Sequence, residues 1–78
     1  MKGDRIIQFS TLHDIHEHIA HARQKHTWPE DMSDAEKYQK AECELHELAA
    51  AMFKGDLRGK RKEALDLIAV LIRIVEGE

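Results

Sequence analysis

The sequence predicts an all-α protein, an antiparallel helical bundle of three helices per chain. Three observations carry that prediction. Apolar residues recur at three-and-four spacing, a capping box opens the second such segment, and no alternating run of strand length occurs beyond residue 9. The 78 residues form a single domain, 1–78, with residues 1–10 as an N-terminal lead. A chain this short buries only about 60% of the surface its unfolded form exposes, so its core is marginal and oligomerisation is expected to complete it.

In the lead, Ile6, Ile7 and Phe9 are expected to pack against the body. Ser10 or Thr11 caps the first helix, placed at 11–26, whose stripe is Leu12, Ile15, Ile19 and Ala22. Thr27 to Met32 is a break, because Pro29 lacks a backbone donor and biases Trp28 away from helical geometry. Ser33 and Glu36 then form a capping box that starts the second helix. Its stripe reads Tyr38, Ala41, Leu45, Leu48 and Met52, and Gly55 supplies the left-handed position that ends it. The third helix, placed at 58–76, is apolar almost all round, the pattern of a helix buried on several sides. Two partner helices cannot easily cover it. A second subunit is expected to, in a dimer or tetramer with this helix near the centre.

Composition narrows the function. Hydrophobic content of 42% beside 35% charged residues describes a globular chain rather than a disordered one. A net charge of −3 argues against a general nucleic-acid binder, which would carry a basic surface. Cys43 is the single cysteine, so no intramolecular disulfide forms, and a cytoplasmic setting is expected. No apolar run is long enough for a signal peptide or for the roughly 20 residues a bilayer span takes, so no membrane partner is expected.

The chemistry lies in two acid pairs, Glu44 with Glu47 and Glu63 with Asp66. Residues three apart on a helix project from one side, so each pair shares a face. Between Ala64 and Val75 only Asp66 and Arg73 interrupt an apolar run, and a charge carried into a buried segment demands a compensating partner or metal. If the second and third helices pair across the turn at 55–58, the acid pairs face each other. Four converging carboxylates cannot all ionise without a counter-charge, and a hard divalent cation with oxygen ligands supplies it. Magnesium suits the donor set and keeps coordination places for phosphate oxygens. Two other readings stand beside this one. The acids are solvated helix positions, or Asp66 pairs with Arg73 or with a basic residue of another helix.

The stretches ECELHELAAAMFKGD and EALDLIAVLIRI resemble the MazG-like all-alpha nucleoside triphosphate pyrophosphohydrolases. That family's signature is an ExxE pair, a variable spacer and an ExxD pair. Here these are Glu44 with Glu47, fifteen intervening residues, then Glu63 with Asp66. The similarity extends to the Gly55-Asp56 turn and the arginine late in the third helix, over residues 17–76. It implies an enzyme that cleaves a nucleoside triphosphate, NTP or dNTP, to the monophosphate and pyrophosphate with Mg2+, or Mn2+ in its place. Glu44, Glu47, Glu63 and Asp66 are the implied metal ligands, with Glu44 or Glu47 as catalytic base. Members assemble as dimers or tetramers. The sequence stops just after the third helix, so a fourth helix that often completes the family's bundle is expected to be missing or to come from a partner subunit. The alternative is an inactive relative that serves as a helical oligomerisation or interaction module.

Lys25, Trp28, Arg61 and Arg73 are the expected substrate-binding residues. Trp28 follows the basic run at Arg23 and Lys25, where it either stacks on a base or anchors the loop to the core. Arg58, Lys60, Arg61 and Lys62 run against the macrodipole at the start of the third helix, which favours an electrostatic role such as steering an anionic substrate. Arg73 contacts phosphate, pairs with an acid, or sits at the subunit interface. His13, His16, His18, His21 and His26 cluster on the first helix, but without cysteine or an HExxH pattern a solvated, titrating face is the better reading than zinc.

Overall fold

A computed structural model of the chain describes residues 6–78; the part of the lead at 1–5 lies outside the described residues. Three helices account for the architecture, α1 (Phe9–Lys25), α2 (Asp34–Lys54) and α3 (Leu57–Val75), and no strand occurs among the described residues. α1 begins two residues earlier than the sequence suggested. Gln8 is the N-cap, and its carbonyl accepts the first helical bond from Leu12 N–H at 3.0 Å, with no side chain capping the end. Ser10 and Thr11 therefore fall inside the first turn, too late to cap it. Ile6, Ile7 and Phe9, expected to pack against the body, are all exposed.

The other helix ends follow their residue chemistry. Ser33 Oγ accepts from Glu36 N–H at 3.1 Å while Glu36 Oε1 accepts from Ser33 N–H at 2.9 Å, a complete capping box. α2 ends at Gly55 in the left-handed region (φ 71°), where Gly55 N–H reaches Met52 O and Asp56 N–H reaches Ala51 O. Asp56 at once caps α3, its Oδ1 accepting from Gly59 N–H at 2.9 Å. The chain thus reverses within two residues, which folds α3 back along α2.

α3 packs against both other helices, and no comparable contact joins α1 to α2. Links from α1 to α3 rise in register, Asp14 to Arg61, His18 to Asp66 and Ala22 to Arg73, so these two helices run parallel and α2 runs against them. The apolar core is small: Ile19, Ala51, Leu65 and Ala69. The α2 stripe is rotated from its expected position. Ala41, Leu48 and Ala51 face inward with Glu44, whereas Tyr38, Leu45 and Met52 stay exposed, Leu45 by 51% and Met52 by 57%. Two alanines in the inward row let α3 approach closely, and the larger stripe residues are turned to the flank. The result is one layer of helices with α3 in the middle and a cleft along one side.

Candidate functional site

The cleft, about 910 Å³, runs between α1 and α2 with α3 as its floor. His18 and His21 line it from α1, Cys43 and Glu44 from α2, and Lys62, Asp66, Val70 and Arg73 from below, with Trp28 at one end. Its acids meet because of the hairpin. Glu44 and Asp66 stand equally far in sequence from Gly55, as do Glu47 and Glu63, so an antiparallel pair reversing at that glycine sets each acid of α2 opposite one of α3.

Glu44, Glu63 and Asp66 each offer a carboxylate oxygen, and the three oxygens lie within 4.8 Å of one another. All three residues are half-buried. Glu44 Oε1 and Glu63 Oε1 are buried with no hydrogen-bond partner, a costly arrangement for charged oxygens. Burial, then the negative charges of Glu47, Asp66 and Glu63, push the Glu44 carboxyl above its ordinary value. Burial also raises Glu63, opposed by the nearby Lys62 ammonium and helped by the acidic neighbours Glu47 and Asp66.

An ammonium and an imidazole already reach the cluster. Lys62 Nζ donates to Asp66 Oδ2 at 2.9 Å and lies 3.7 Å from Glu63 Oε2, and the bond to Asp66 raises the lysine pKa. His18 Nε2 sits 3.6 Å from Asp66 Oδ1, while its Nδ1 is 3.1 Å from Asp14 O. The compensating charge for Asp66 therefore comes from a lysine one turn back on its own helix, and the His18 imidazole of α1 stands on the carboxylate's other oxygen. Four acids still face one ammonium and one imidazole. The donors are all oxygens, two of them without a partner, and such a set fits a hard divalent cation such as Mg2+ or Mn2+.

The other expected site residues separate into two groups. Trp28 and Arg73 line the cleft, with the Arg73 guanidinium 4.1 Å from the centre of the Trp28 ring. Lys25 is exposed and does not line it, and Arg61 is held by Asp14 at 2.5 Å on the α1 side of α3. Glu47 is exposed and stands outside the convergent trio. His18 and Lys62 are the residues the sequence did not mark as neighbours of the acids. For Lys62 the signal was present, since it stands four before Asp66 on a helix; for His18 it was not, because the pairing crosses between helices. No helix among the described residues is long and apolar enough to cross a membrane. No protein-family model, no curated protein and no solved structure matches the chain.

Proposed function

We propose that the protein is a magnesium-dependent nucleoside triphosphate pyrophosphohydrolase that converts an NTP or dNTP to the monophosphate and pyrophosphate. One observation carries the reading: oxygens of Glu44, Glu63 and Asp66 converge across two helices while two carboxylate oxygens there lack any donor. The ExxE and ExxD spacing and its resemblance to the MazG-like hydrolases support the same conclusion. Glu44, Glu63 and Asp66 would hold the cation, with Glu47 at the edge of the set. A divalent ion bound there would neutralise charge on triphosphate oxygens and make attack by water easier.

The chain's own groups would do the rest. Glu47, exposed beside Glu63, is the carboxylate left to take a proton from the attacking water. Trp28 presents an aromatic face for a base at the end of the cleft, and Arg73 lies against it. Lys25 and Arg61 would add positive field rather than direct contacts. The test is a screen of nucleoside triphosphates with Mg2+, reading pyrophosphate and monophosphate together. Release from at least one substrate, lowered a hundredfold or more (about 2.7 kcal/mol or more of barrier) in folded Glu47→Gln and Asp66→Asn, is the expected result. A folded chain that hydrolyses none sinks the proposal.

A second reading also has its own support. Lys62 already offsets part of the acid charge, and Leu45, Met52, Leu57 and Leu71 leave an apolar flank exposed. An inactive helical oligomerisation module would use that flank and need no ion. Thermal melts separate the two, because Mg2+ raises the melting temperature only where the cluster binds it.

A further inference from the structure

Arg73 is 4% exposed and is the one buried charged residue among those described. Trp28 covers one face of its guanidinium at 4.1 Å, Nη1 donates to Ala22 O at 3.4 Å, and Nε donates to Glu78 Oε1 at 2.9 Å. Arg23, reaching across from α1, closes on the same carboxylate: its Nε donates to Glu78 Oε2 at 2.5 Å, and its Nη2 donates to Glu76 Oε1 at 2.6 Å. Two guanidinium groups therefore grip one carboxylate. A cavity of about 380 Å³, lined by Arg23, Thr27, Trp28 and Arg73 together with Glu78, opens at this point.

An anion between them offsets the repulsion of two guanidinium groups, and planar guanidinium forks match the oxygens of phosphate as well as those of carboxylate. Phosphate offers more oxygens and more negative charge than Glu78, the carboxylate both guanidinium groups share; Arg23 also holds Glu76, and Glu30 lines the same cavity. Glu78 lies outside α3, which ends at Val75, and is turned back by Gly77 (φ 81°) so that Glu78 N–H donates to Arg73 O at 3.0 Å. It can leave without unpacking a helix. We propose that Arg23, Arg73 and Trp28 form a binding site for a phosphate-class oxyanion, and that Glu78 fills it as a displaceable internal carboxylate. Arg73 and Trp28 also border the acid-lined cleft, and Asp66 stands two turns from Arg73, about 10 Å along the axis. The inference goes beyond the hydrolytic reading, since it requires neither metal nor turnover.

Trp28 is the single tryptophan, so its emission reports this site alone. Inorganic pyrophosphate is titrated, metal-free and at constant ionic strength, into the wild-type chain and into Glu78→Gln. Removing the internal competitor is expected to lower Kd about tenfold, and adding Arg23→Gln to that variant to raise it about tenfold again. Tightening of less than threefold, or a double variant that binds as well as Glu78→Gln, overturns the proposal. If Glu78→Gln does not fold, the wild-type chain serves: millimolar pyrophosphate is expected to move the Arg73 Nε–H resonance in NMR spectra, and an unmoved resonance overturns it. A parallel titration with a nucleoside triphosphate identifies the source. Binding of both ligands assigns the shared phosphate group, whereas binding of the triphosphate alone contradicts a site for which phosphate oxygens suffice.

Discussion

Glu44 and Glu47 are one helical step of three apart, yet they meet different surroundings: Glu44 is half-buried against Glu63 and Asp66, and Glu47 is exposed. The difference has a measurable consequence. Glu44 and Glu63 have raised pKa values in the folded chain, so the fold takes up protons there more readily than the unfolded chain. Their contribution is most favourable below the ordinary glutamate range and is lost as pH rises through their raised values. Glu78 works in the opposite sense. Hydrogen bonds from Arg23 and then Arg73 lower its pKa, so its contribution is present above the ordinary range and fades as pH falls through the lowered value. Without metal, the melting temperature is therefore expected to rise as pH is lowered from neutrality toward the glutamate range, then to fall below it. Glu44→Gln should raise the melting temperature at neutral pH by a few degrees and flatten the first limb; an unchanged slope would remove the electrostatic account of the cluster. Asp66 was legible in the sequence because apolar neighbours surround it. The split between Glu44 and Glu47 was not, since it depends on how α2 is rotated about its own axis.

Each helix boundary was legible to the extent that a side chain marks it. Ser33 with Glu36 and Gly55 mark ends in the chain and form the expected bonds, whereas Asp56 caps α3 without having been read as a cap. The start of α1 carries no such mark, and there Ser10 and Thr11 misled by two residues. Asp56→Ala removes the only side-chain cap of α3 and is expected to cost about 1 kcal/mol, read as a lower denaturant midpoint with an unchanged slope. Gly55→Ala is expected to cost about 1 kcal/mol as well, for another reason. A Cβ at Gly55 meets nothing within 4 Å, so the penalty is the left-handed backbone itself rather than a clash. Placing Asn there instead should recover part of the loss, because Asn tolerates that conformation better than Ala. The α2 stripe fails for a different physical cause. Periodicity identifies a row of apolar residues but not which edge of the row meets a partner, and the alanines at positions 41 and 51 decided it.

Three helices in one layer leave a surface that a chain of this size cannot bury alone. The described fold extends 45 × 30 × 19 Å with a radius of gyration of 13.9 Å, whereas a compact chain of this length would have about 11.5 Å. Successive helical residues turn by about 100°. Glu44 faces the cleft, so Leu45 points to the other flank, where Tyr38 and Met52 join it at seven-residue spacing. On α3, Leu71 and Ile74 are turned away from the row Lys62, Asp66, Ala69 and Arg73 that floors the cleft, and both are exposed. One side of the layer is thus charged and concave, and the other carries apolar side chains from two helices. Stable domains bury such a side under a second layer. A second copy of the chain is the occupant we propose, because the family resemblance implies dimers or tetramers and a seven-residue row suits helix-on-helix packing. Self-association would then stabilise the fold by mass action, so the melting temperature should climb with protein concentration. Leu45→Glu with Leu71→Glu is expected to yield a monomer in sedimentation equilibrium and to abolish that concentration dependence, while leaving every acid of the cleft in place. A wild-type chain that sediments as a monomer, with a melting temperature independent of concentration, would overturn a second copy as the cover of the apolar flank.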